Sequence, residues 1–123
     1  MTLYHVHMTL ARNEAHPNGS SAHGYDIVLP LDGEMRLDPE AWKAHSKQCT
    51  VRRFWQGEPD QKGLLRHIGR GWVIDYDITT PEGDEPFFKL DRHEFKAGEY
   101  LSVLEQDGEM QTFRIVTVEP LKK

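Results

Sequence analysis

The chain has 123 residues, 37% of them hydrophobic and 28% charged, with three Trp, four Tyr and five Phe. That length and aromatic content exclude wholesale disorder and predict a single domain over residues 1–123 with a core of its own. The net charge of −5 argues against a dedicated duplex-DNA binder, because neutralising phosphates needs clustered Lys and Arg, and the lone Cys49 excludes an internal disulfide or a Cys-rich zinc site.

The first element is a strand. Tyr4, Val6, Met8 and Leu10 alternate with His5, His7, Thr9 and Ala11, a period of two that marks a half-buried ribbon. Asn13–Gly24 holds His, Pro, Asn, Gly and Ser and reads as a long loop. Tyr25, Ile27, Leu29 and Leu31 make a second strand, which Pro30 confines to an edge or an end. Asp38-Pro39 is a helix start: Asp is a good N-cap, and Pro at the first helical position loses no hydrogen bond. One short helix is expected over about 39–46. Cys49–Trp55 is rich in β-formers, Gln56–Gly63 reads as a loop, and Leu64–Asp77 reads as a strand interrupted at Gly69-Arg70-Gly71. Thr80–Pro86 is an acidic turn, Phe87–Leu90 a short strand, and Asp91 with Glu94 has the spacing of a capped helical turn. The stretch 99–118 is a hairpin. A two-residue Asp107-Gly108 turn would set Leu104 opposite Gln111 and Ser102 opposite Phe113.

About seven strands with no βαβ alternation predict a mainly β protein, a small antiparallel barrel or sandwich with the helix plugging an end or covering an edge. The N-terminal MTLYHVHMTLARNEAH shows no secretory signal, and no apolar run approaches the roughly 20 residues that span a bilayer. A cytoplasmic location without membrane partners is the expectation.

Three patterns carry chemistry. In His5-x-His7, residues i and i+2 of a strand project from one face about 6.6 Å apart, close enough to share a divalent cation. The pair resembles the His-x-His strand of the cupins. The next acid, Glu14, comes too late for their motif, and Pro30-Leu31-Asp32-Gly33 lacks the spacing and the His of their second motif. The second pattern is His67, Asp75, Asp77 and His93, where paired carboxylates would raise each other's pKa if buried together. No nucleophile with a base, P-loop or GxGxxG accompanies them, so catalysis is not expected.

The third pattern is the basic, aromatic middle. Between Arg52 and Arg70 lie five basic residues against Glu58 and Asp60, and Arg53, Trp55, Arg70 and Trp72 have the makings of a single-strand nucleic-acid surface. The same residue types concentrate at protein interfaces, which suits self-association in an acidic protein better. Gly98-Glu99-Tyr100 is loosely similar to the turn-strand of the flavodoxin-reductase-like FAD barrel, but the Arg-x-Tyr-Ser flavin element is absent. The sequence specifies no cofactor. It predicts a non-catalytic binding or interaction domain that forms homo-oligomers, with ligand-binding candidates Arg53, Trp55, His67, Arg70, Trp72, Asp75 and His93. The alternatives are a metal protein using His5 and His7, and a single-stranded nucleic-acid binder using 52–72.

Overall fold

Alternating apolar and polar side chains build eight antiparallel strands in a computed structural model that describes residues 2–13, 16–68, 71–76, 85–88, 94–105 and 108–121. In chain order these are β1 (Thr2–Leu10), β2 (Ser20–Leu31), α1 (Pro39–His45), β3 (Thr50–Trp55), β4 (Glu58–Ile68), β5 (Gly71–Asp75), β6 (Glu85–Phe88), β7 (Tyr100–Leu104) and β8 (Met110–Pro120). Each strand pairs with its successor, and β8 returns to β1, closing an up-and-down barrel. The expectation of a mainly β antiparallel barrel with one short helix holds. Closure removes the unpaired edges that an open sheet would have to protect.

The interior follows the period of two. Val6 and Met8 of β1, Tyr25, Ile27 and Leu29 of β2, Leu65, Ile74, Val103, Phe113 and Ile115 are fully buried. Full burial of side chains this size stabilises by about 1.5–3 kcal/mol each, so this packed stack is the main favourable contribution to the fold.

The two barrel ends differ. At the end where β2 finishes and β3 begins, the Asp38 side chain accepts from the backbone N–H groups of Glu40 and Ala41 at 3.1 and 3.2 Å, capping α1. Trp42 then donates from Nε1 to the Leu65 carbonyl at 2.9 Å and meets Trp72 edge-on. Leu37, Cys49 and Phe95 are buried nearby, so this end is closed with apolar matter. The opposite end, where β2 begins and β3 and β7 finish, is closed with polar groups.

Three local expectations are corrected. The loop expected over 13–24 gives way to strand at Ser20, because a register shift after Thr9 lets Leu10 pair with Ser20. The loop expected over 56–63 shrinks to Gln56-Gly57, with Gly57 at φ 84, and Glu58 pairs with Trp55 across a tight turn. Barrel pairing overrides the poor strand propensity of Pro59, Asp60 and Gly63.

The last hairpin is displaced by one residue. Glu105 N–H donates to the Glu109 carbonyl and Gly108 sits at φ 85, so the loop spans three residues rather than two. Leu101 thus faces Phe113, and Ser102 faces Thr112. A one-residue slip exchanges the faces of a strand. Here it turns Leu101, Val103 and Glu105 inward and leaves Tyr100 outside. The turn expected at Asp91–Glu94 begins outside the described residues.

Among the described residues, no helix is long and apolar enough to cross a membrane.

Candidate functional site

The outer wall of β1 and β2 brings His5 and His7 to one carboxylate. His5 Nε2 and His7 Nδ1 each lie 2.8 Å from Asp26 Oδ1, and Arg52 binds the other oxygen through Nε and Nη2. Burial pushes the Asp26 carboxyl up, but hydrogen bonds from Arg52, His7 and His5 outweigh it and hold the group below the usual carboxylate range. Phe54 stacks on His7 at 5.5 Å and carries the Arg52 guanidinium at 5.2 Å. The ring nitrogens facing inward across this pair are therefore occupied by an anion that Arg52 already neutralises. Among the described residues, no group of three or more His, Cys, Asp or Glu is arranged to hold a metal ion.

Three arginines of the basic middle segment are paired with carboxylates. Arg52 reaches Asp26 and Asp60, Arg53 reaches Glu58 and Glu105, and Arg66 reaches Asp75 at 2.7 Å. Asp26, Glu58, Asp60 and Asp75 come from neighbouring strands and Glu105 from the end of β7 across the barrel, so a run of positive charge in sequence becomes a set of ion pairs in space. A phosphate would have to displace these partners.

His67 and Asp75 do not meet. The β4–β5 hairpin pairs His67 with Trp72 and Leu64 with Asp75, which places His67 and Asp75 on opposite faces. Their shared odd numbering is lost in the turn between the strands. His67 stacks flat on Trp72 at 4.4 Å, at the apolar end of the barrel near Trp42. Trp72 is buried core, and Asp75 belongs to the outer ion pair with Arg66. Arg70, Asp77 and His93 lie outside the described residues.

Arg53 and Trp55 do come together, at the polar end. Val51, Arg53 and Trp55 alternate inward on β3. The Arg53 guanidinium lies 4.3 Å from the Trp55 ring centroid and bonds Glu105 Oε1 at 3.1 Å. Their side chains are only 11% and 5% exposed. Tyr25 donates its hydroxyl to the other oxygen of Glu105. Such a pair is costly to desolvate, and the matching of its two charges offsets that cost.

Above it sits His23, buried, edge-on to Trp55 at 4.3 Å and 4.9 Å from His16. Burial, with the nearby His16 and Arg53, lowers its pKa, and Glu58 opposes the shift. The imidazole is thereby kept neutral at neutral pH and can accept the Ser20 hydroxyl at Nδ1, 2.6 Å away. That contact has a nucleophile–base look. The same Ser20 oxygen, however, accepts from Ala22 N–H, so it locks the start of β2.

Sequence reasoning missed Glu105, Tyr25 and Ser20 as site residues. The Ser20-x-x-His23 spacing was a visible signal, whereas Glu105 turns inward only in the true hairpin register.

Comparison of the chain with known protein families, curated proteins and solved structures returns no match.

Proposed function

We propose that the protein is a non-catalytic binding module that receives a small, planar, uncharged ligand at the polar end of the barrel. The observation that carries the reading is the contrast between the two ends: one is filled by Trp42, Leu37 and Phe95, while the other holds Arg53, Glu105 and Tyr25 beneath Trp55, His16 and His23. Nothing in hydrophobic stability requires a desolvated ion pair there. With Arg53 and Glu105 neutralising each other and His23 uncharged, the chemistry suits a ligand with a flat apolar body and hydrogen-bonding edges. A cytoplasmic location agrees with a free, buried Cys49. Self-association is part of the same proposal and is supported by the exposed Val116 and Leu121 of β8 and the segment after it.

The test uses indole as probe, followed by the imidazole and indole NMR resonances of the protein. Saturable shifts of His23 and Trp55, with His5 and His7 unmoved and the response abolished by Trp55→Ala, are expected. Absence of any shift at His23 and Trp55 overturns the reading.

A further inference from the structure

Six arginines fall among the described residues, and four of them are tied to carboxylates: Arg36, Arg52, Arg53 and Arg66. Arg12 and Arg114 have no carboxylate partner among the described residues, although the molecule carries a net charge of −5. Both line one open groove of about 320 Å³ on the outer wall, together with Ala11, Asn18, Gly19 and Tyr100.

The fold explains why they share it. Arg114 sits mid-β8 between Thr9 of β1 and Tyr100 of β7, so an exposed ring stands beside the guanidinium across the sheet. Arg12 follows Ala11, whose N–H donates to the Thr112 carbonyl at 2.9 Å and keeps the chain along β8 as it leaves β1. Asn18 and Gly19 also line the groove. Gly19 adopts φ +75, its N–H bonds the His16 carbonyl at 2.9 Å, and a Cβ there would lie 2.7 Å from the Leu10 carbonyl oxygen. The loop is thus pressed against β1 at this point. Tyr100 is 53% exposed, and no side-chain hydrogen bond among the described residues engages its hydroxyl.

Two guanidinium forks without a carboxylate partner among the described residues are a recognition device for a compact dianion, because each presents paired donors that match phosphate oxygens. The acidic total disfavours a long polyanion, whose remaining charges would meet the protein's own. The groove volume lies at the lower end of the range for small-molecule sites. We propose that the groove binds a phosphate monoester carried on a small planar group, with Arg12 and Arg114 on the phosphate and Tyr100 stacked on the ring. This site is distinct from the polar barrel end and takes ligands of opposite character.

The test is calorimetric titration of the intact protein with AMP, adenosine and inorganic phosphate at low salt. AMP is expected to bind saturably and to weaken as salt rises, while any adenosine binding, which belongs to the polar barrel end, is expected to be insensitive to salt and unchanged in Arg12→Met and Arg114→Met. Arg12→Met and Arg114→Met should each weaken AMP by roughly tenfold or more, and Tyr100→Ala should weaken AMP without changing inorganic phosphate. Circular dichroism and melting of each variant establish that it is folded; these residues are exposed, so folding should survive. The proposal is overturned if AMP and phosphate fail to bind at roughly millimolar concentration, if the folded Arg12→Met/Arg114→Met variant binds AMP like the parent, or if AMP binding does not weaken as salt rises.

Discussion

Replacing Glu105 by Leu tests the polar barrel end most directly. The carboxylate is 5% exposed and receives Arg53 at 3.1 Å as well as the Tyr25 hydroxyl. Removing one member of a buried pair costs about 3–5 kcal/mol, mostly because the remaining charge stays desolvated. Arg53 keeps a second partner in Glu58, 3.3 Å away and half exposed, so Glu105→Leu should fall near the lower limit, about 3 kcal/mol. Arg53→Leu leaves Glu105 with the Tyr25 hydroxyl as its side-chain partner among the described residues and should cost at least as much. The double variant removes both charges, and its loss should lie well below the sum of the singles, with a coupling of about 1–3 kcal/mol. Urea unfolding measures all three. The midpoints should move while the slope stays constant, since the surface exposed on unfolding hardly changes. Singles that cost under about 1 kcal/mol, or that add within about 0.5 kcal/mol, would refute the assignment of a tightly coupled buried pair.

Other outcomes follow from local geometry. Gly24→Ala would bring a Cβ to 2.1 Å from the Met8 carbonyl oxygen and 2.8 Å from Phe54, and should cost about 3 kcal/mol or more, whereas Gly57→Ala meets open space and pays only for its φ of +84, about 1 kcal/mol. His23 has a folded pKa below its ordinary 6.5, so the unfolded chain binds more protons just under that pH. Stability should therefore fall as pH drops below 6.5, and His23→Gln should flatten the slope. Asp26 works at lower pH: its folded pKa lies below 3.8, so its contribution is whole above that value and is lost as pH falls through the folded pKa, a loss that Asp26→Asn should remove. Cys49 is fully buried with its pKa pushed up to about 11, so a disulfide reagent at pH 8 should modify it only at the rate of unfolding. Light scattering should show an oligomer that Val116→Glu dissociates; a monomer at high concentration refutes self-association.

Much of the architecture was legible because it is local. Asp38-Pro39 announced the helix, and the alternation Tyr4–Leu10 and Tyr25–Leu31 announced two walls of the barrel. Register was less legible, since a two-residue and a three-residue loop around Gly108 differ by one residue yet exchange inside for outside. Charge was least legible. Arg52 and Arg53 look like a phosphate-binding surface until Asp26 and Glu105, 26 and 52 residues away, are brought beside them. The hairpin at β4–β5 likewise separates His67 from Asp75 by a parity change, for which the interruption at Gly69-Arg70-Gly71 is the signal in the sequence. Conversely, Arg12 and Arg114 drew no notice because they lie apart in sequence and meet only where β1 runs beside β8.

That seam also governs how the chain reaches its final shape. Val6 pairs with Val118, and Leu121 N–H reaches back to the Leu3 carbonyl at 2.8 Å, so the contact most remote along the polypeptide is the one that zips the cylinder shut. Bringing such distant segments together is entropically slow. Until β8 docks, β1 and β7 each present a bare row of amide and carbonyl groups to any other ribbon in solution. A nascent or truncated molecule lacking β8 is therefore the form most prone to stick to its own kind.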